Sequence, residues 1–290
     1  MQLRNLENRD ALIDALNEKA EALRKEIIRL AAVAGGGHIG GGLSMAEIIV
    51  ALHYYGMNLK ENAPDWPNRD RFILSKGHGS IAYCPVLADL GFFPRKWLDS
   101  FNLLDSPFGM HPDMRKIPGV EMSTGSLGHG LSVGVGMAIT ARLDRADWRV
   151  FVLMGDGETH EGMVWEAAQA ASHYKLGNLI ALIDRNGLCL DGPTEEVMCI
   201  EPICDRWQSF GWNVYDIDGH DMDALVRTID ELPPHDSEKP TLVICRTTKG
   251  RGVAFMEGDP VWHYSGLDAE KTEEAIGSIE SRRPERRCSS

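Results

Sequence analysis

Apolar positions recur along this chain in two periods. Over residues 11–34, Leu12, Leu16, Ala20, Leu23, Ile27 and Leu30 fall three and four apart, the spacing of an amphipathic helix. Three consecutive glycines, 35–37, close it. Ser44 and Glu47 have the spacing of a capping box for a second helix over 45–54. Short apolar-rich runs at 71–74, 151–154, 179–183, 212–217 and 241–245 predict strands. Between and after them, helical stretches are predicted at 81–90, 94–101, from the 124–131 loop to about 142, and at 161–174, 203–210, 222–231 and 268–279. Unbroken apolar strands alternating with helices imply an α/β fold, a mostly parallel central sheet with helices on both faces.

Residues 151–192 organise the rest. Phe151–Met154 is a buried strand that stops at Gly155-Asp156-Gly157, where two glycines allow a sharp turn and leave a carboxylate at the strand's C-terminal end. A helix follows, with Val164, Ala167, Ala168 and Ala171 on its apolar face, and then the strand at 179–183, which ends in Asp184-Arg185-Asn186-Gly187-Leu188. Strand–helix–strand makes the two strands parallel neighbours and brings Asp156 and Asn186 to one edge of the sheet. A carboxylate, an amide oxygen and a nearby carbonyl, Leu188 being the candidate, form a small set of hard oxygens. Such a set suits magnesium or calcium, with phosphate oxygens and water completing the shell. Ligands of open α/β sheets also bind at this edge.

Composition narrows the possibilities. The 290 residues are 43% hydrophobic and 25% charged, enough for one large core. A net charge of −13 leaves no basic patch for nucleic acid. It does not disfavour a diphosphate, which backbone amides, a helix N-terminus and a metal can hold. None of the six cysteines forms a CxxC pair, so free thiols in a reducing cytoplasm are expected. The first ten residues are too polar for a signal peptide, and no run is long enough to span a bilayer. One domain is expected over 1–279, followed by a disordered tail, 280–290, with little to bury. No GxGxxG follows the first strand, which argues against a dinucleotide-binding oxidoreductase.

Five histidines, His38, His78, His111, His129 and His263, lie where strands or helices begin or end, most beside glycine. Glycine loops let a ligand approach closely while exposing an imidazole. The run Thr124-Gly125-Ser126-Leu127-Gly128-His129-Gly130-Leu131 opens a helix whose first amides are free to meet an anion.

The text GDGETHEGMVWEA, followed by LGNLIALIDRNGLCLDG, resembles the transketolases and their thiamine diphosphate-binding fold, as do GGGHIGGG, LSKGHG, GMHPD and VWHY. The resemblance covers roughly residues 10–275. It implies that Asp156, the Asn186 side chain and the Leu188 carbonyl hold a divalent metal (Mg, or Ca or Mn), which holds the cofactor diphosphate. Gly157, Asn186, Glu161 and Glu166 join the implied cofactor set, the two glutamates near a subunit interface. Gly125 would pass the cofactor by its backbone and Leu127 would pack on the aminopyrimidine. His38 would contact the transferred group, His78 the diphosphate, His111 the ketose hydroxyls, and His263 the space between diphosphate and substrate. His129 and His160 stand where glutamine is common, and Tyr264 where a glycine often follows the histidine.

The implied reaction is transfer of a two-carbon ketol group from a ketose, expected to be phosphorylated, to an aldose. In transketolases the glutamate that activates the cofactor lies on a second, pyrimidine-binding domain, and the chain stops where that domain would begin. The expectation is therefore a split enzyme, a heterotetramer in which a C-terminal subunit completes each site. The rival readings are a subunit of a deoxyxylulose-phosphate synthase-like or ketoacid-decarboxylating enzyme, and a non-catalytic binding subunit.

Overall fold

A computed structural model describes residues 3–282. Its five strands are β1 (Arg71–Leu74), β2 (Val150–Gly155), β3 (Leu179–Arg185), β4 (Asn213–Asp218) and β5 (Thr241–Arg246). They form one sheet in the order β1-β2-β3-β5-β4, every pair parallel. The expected α/β architecture is therefore observed.

β1, β2, β3 and β5 are dominated by buried apolar residues because both faces are covered, while the edge strand β4 is only partly buried and carries Asn213, Asp216 and Asp218. Side chains alternate between faces along a strand. Phe72, Leu74, Phe151, Leu153, Ile180, Leu182 and Val243 join one core. Packed there are helices α1 (Arg9–Val33), α3 (Ala46–Ala51), α4 (Ser80–Asp89) and α9 (Met222–Asp230). Ile73, Val150, Val152, Met154, Leu179, Ala181, Ile183, Leu242 and Ile244 join the other core. It is closed by α5 (His129–Leu143), α6 (Gly162–His173) and α8 (Ile203–Ser209). Gly134 on α5 makes that packing close: a Cβ there would stand 2.7 Å from Val152.

Two expectations change. The capping box at Ser44 and Glu47 does not form: Ser44 ends a separate short helix, α2 (Ile39–Ser44), and the helix expected over 45–54 is α3 running into a π turn, Leu52–Gly56. Both side chains are buried and taken by distant partners. Ser44 Oγ donates to Asp184 Oδ2 at 2.5 Å, and Glu47 accepts from Arg24 at 2.5 Å and meets His220 Nδ1 at 3.1 Å. The last helix, α10 (Ala269–Ser281), runs past residue 279 because Ile279 is buried. Glu280 and Ser281 are thus helical, and of the expected tail residues 283–290 lie outside the described residues. No helix among the described residues is long and apolar enough to cross a membrane.

Candidate active site

Because all strands run the same way, their C-terminal tips share one edge. β1 leads into Ser75-Lys76-Gly77-His78, β2 into Asp156-Gly157, β3 into Asn186-Gly187-Leu188, and β5 into Thr247-Thr248-Lys249. In register, Gly155 pairs with Asp184, which sets the turns of β2 and β3 side by side. Asp156 Oδ2 accepts the Gly187 amide at 2.6 Å and Arg185 Nη1 at 3.0 Å, while Oδ1 accepts the Gly157 amide at 2.8 Å. The carboxylate is thus held against the Asn186–Gly187 peptide. Burial pushes its pKa up, as does the charge of Asp184; the two amides and Arg185 oppose them.

Asn186 is oriented from behind. Its Nδ2 lies 3.3 Å from Asp184 Oδ2, and its Oδ1 accepts the Leu188 amide at 3.2 Å. The Leu188 carbonyl accepts Lys249 Nζ at 3.1 Å. Carboxylate, amide oxygen and carbonyl are hard donors that suit a divalent ion. A carbonyl already turned to an ammonium is one turned to a cation. The donor chemistry therefore fits a metal carrying a diphosphate.

The histidines converge. The His38 ring lies 4.9 Å from His78, 5.3 Å from His263 and 6.4 Å from His111, centroid to centroid. His78 and His263 stack at 5.4 Å. The loop carrying His263 is fixed by two backbone hydrogen bonds between Gly37 and Ser265, of 3.0 and 3.1 Å. Gly40 lets it approach, since a Cβ there would meet the Trp262 carbonyl at 2.8 Å. Burial, followed by the charges of its neighbours, lowers His38 to about 4 and His263 to about 3. His78 is pushed down by burial and Lys76, and His111 by burial. All four rings are neutral at neutral pH. His38 Nδ1 is buried without a hydrogen-bond partner, a polar atom available to a ligand.

The remaining sequence candidates are spread around this centre. Gly125 lies under His111, whose ring would be 3.6 Å from a Cβ there, and Leu127 is partly exposed on the same loop. Gly157 faces Cys189, whose sulfur would be 2.8 Å from a Cβ. Glu161 stands against Gly128, and Glu166 is exposed on α6. His129 is exposed at the start of α5; His160 Nε2 meets the Met198 carbonyl at 2.8 Å. Tyr264 stands edge-on to His38 at 5.1 Å. Among the described residues the cysteines, Cys84, Cys189, Cys199, Cys204 and Cys245, are free.

Sequence reasoning missed the charged groups behind the site. Lys76, 1% exposed, donates to Asp184 at 2.5 Å and to the Gly41 carbonyl at 2.9 Å. Asp184 also accepts Ser44 and Thr247; burial alone would raise its pKa, but Lys76 and these donors hold it low. Glu158, buried, accepts Ser75 Oγ and the amides of Gly128 at 2.9 Å and Gly155 at 3.0 Å, so it ties the Gly125–Gly128 loop to the strand tips. Lys249, 2% exposed, has its pKa lowered to about 8, mainly by burial. The available signal was position: Lys76 and Lys249 follow strand ends as Asp156 and Asn186 do.

Comparison with known proteins agrees with this architecture. The family model described as transketolase, thiamine diphosphate binding domain, matches residues 16–279. One of the subunits of the apulose-4-phosphate transketolase of Phocaeicola vulgatus is 43% identical over 270 residues, covering 93% of this chain and 95% of that protein. The 6-deoxy-6-sulfo-D-fructose transketolase subunit SqwG of a Clostridium species is 39% identical over 265 residues, covering 91% and 96%. The transketolase of Pichia stipitis in complex with sedoheptulose-7-phosphate superposes with a TM-score of 0.85 at 31% identity, over 92% of this chain and 41% of that one. The transketolase of Leishmania mexicana gives 0.85 at 28% identity, over 92% and 41%. The chain thus spans about two fifths of those solved transketolases, but nearly the whole length of the two related subunits. Thiamine diphosphate with a divalent metal is the family's cofactor set. This chain belongs to the transketolase family, as its thiamine diphosphate-binding part.

Proposed function

We propose that this chain is the diphosphate-binding subunit of a two-chain transketolase. It moves a two-carbon ketol group from a ketose to an aldose acceptor. Two of the relatives are named for ketoses bearing a phosphate or a sulfonate, which supports a donor with an anionic end group here. The observation that carries the reading is the convergence of His38, His78, His111 and His263 at the sheet edge where Asp156 and Asn186 end.

Asp156, Asn186 Oδ1 and the Leu188 carbonyl would hold the metal, and Lys249, His78, Gly157 and the Gly125–Leu127 loop would lie along the cofactor. Once bound, thiamine diphosphate supplies the electron sink for breaking and making the carbon–carbon bond. The protein supplies orientation and proton handling. His38, neutral with a free Nδ1, is suited to accept a hydrogen bond or proton from a sugar hydroxyl. His111, above Gly125, is suited to the ketose hydroxyls. His38, His78 and His263 are half-buried and His111 is exposed, so the cluster stays open to a sugar entering from solvent.

The partner is a C-terminal transketolase subunit with the pyrimidine-binding domain, in a heterotetramer. Glu161 and Glu166 would face it or the cofactor. The free thiols support a reducing, cytoplasmic setting. The test is reconstitution with the companion subunit, thiamine diphosphate and Mg²⁺. Ketol transfer from ketose phosphates or sulfonates supports the proposal. Turnover by this chain alone, or pyruvate as the only donor used, overturns it.

A further inference from the structure

Lys249 lies in the turn after β5, buried beneath the histidines. Its ammonium has three takers: the Leu188 carbonyl at 3.1 Å, the Cys189 carbonyl at 3.3 Å and His263 Nδ1 at 2.8 Å. An ammonium has donors and no acceptor. The His263 Nδ1 facing it must therefore present its lone pair, and the proton of the neutral ring must sit on Nε2. We propose that Lys249 is a positioning residue that locks His263 as the Nε2–H tautomer, so that His263 serves the site as a hydrogen-bond donor and not as a base.

The consequence follows from the ring's two nitrogens. Nδ1 is occupied by Lys249, and Nε2 has no lone pair to offer. The neutral ring can then only donate, to an oxygen of the sugar or the diphosphate. Its orientation is fixed twice over, by Lys249 on one nitrogen and by the stack on His78 and the edge contact with His38. The same ammonium grips Leu188, a candidate metal ligand, so one side chain sets both the metal loop and the donor histidine. Gly250, the next residue, donates its amide to the Gly40 carbonyl at 3.0 Å, anchoring the turn to the start of α2, next to His38. This deepens the transketolase reading and rests on it for the identity of the acceptor oxygen, but the tautomer itself does not.

The test is nitrogen NMR of the full chain labelled at histidine, without cofactor or substrate, with His263 assigned by loss of its signals in His263→Gln. At neutral pH the expected pattern is a pyridine-like Nδ1 and a pyrrole-like Nε2. Lys249→Arg keeps this pattern; Lys249→Met loses it, giving a mixture or the Nδ1–H form. In the reconstituted enzyme Lys249→Met lowers kcat by about 10–100-fold, as loss of a ring-orienting partner does in other sites, and Lys249→Arg restores part of it. A pyrrole-like Nδ1 in the wild-type chain overturns the proposal, as does an unchanged pattern in a folded Lys249→Met chain. If the methionine variant does not fold, the wild-type spectrum decides alone. Absence of ketol transfer by the wild-type reconstituted enzyme would instead sink the functional reading and leave the tautomer result standing.

Discussion

Asp184 Oδ2 lies 3.3 Å from Asn186 Nδ2, and that contact decides which end of the amide faces the candidate metal. Nδ2 is turned to the carboxylate, so Oδ1 is the end left for an ion. Asp184 is itself fully buried and paired with the buried Lys76 at 2.5 Å. Removing one member of such a pair leaves the other charge uncompensated, at a cost of about 3–5 kcal/mol. Asp184→Ala is therefore expected to lower the urea-unfolding free energy by that order. Adding Lys76→Met should recover part of the loss, a coupling that a double-mutant cycle measures.

Asp156 is expected to govern cofactor affinity more than folding. Asp156→Ala in the assembled enzyme should weaken thiamine diphosphate binding, by calorimetry in Mg²⁺, by more than about 100-fold, since even the partners of metal ligands are worth about 10–100-fold. Equal affinity of wild type and variant would count against the site.

Glu158 fastens the cofactor-facing loop. Glu158→Ala would strip the amides of Gly128 and Gly155 of their acceptor. Each buried amide left unsatisfied costs about 1–3 kcal/mol. The expected result is a lower urea midpoint, with faster amide exchange at Gly128. Unchanged exchange there would show that Glu158 does not hold the loop.

Acid should loosen the chain before it denatures carboxylate pairs. His38 and His53 are lowered to about 4 and His263 to about 3, all mainly by burial. A histidine held neutral in the fold binds fewer protons than in the unfolded chain below the ordinary pKa of about 6.5. Stability from these rings is therefore intact above that pH and is lost as pH falls from about 6.5 toward 4. Thermal midpoints should drop across that window in wild type, and less steeply in His38→Asn.

Much of this was legible in the chain because the relevant signals are local. The β2–α6–β3 unit shows its strand, turn and helix within some forty residues, and a parallel sheet then forces Asp156 and Asn186 to one edge. The glycine–histidine loops announced the imidazoles that converge. What escaped depends on partners far apart in sequence. Ser44 and Glu47 match a local capping pattern, yet Asp184, Arg24 and His220 claim them across the fold. Lys76, Glu158 and Arg185 look like ordinary polar residues until burial and pairing reveal them. Arg185, 8% exposed, joins Asp156 to Thr194, Glu195 and Glu201, a connection no spacing encodes.

The tips of β2 and β3 are expected to share one divalent ion. The most direct test is anomalous scattering from Mn²⁺ in crystals of the chain with its companion subunit and thiamine diphosphate. A single peak is expected about 2.0–2.6 Å from oxygens of Asp156, Asn186 and Leu188. An ion found elsewhere, with these three oxygens making no contact to it, would contradict the shared site.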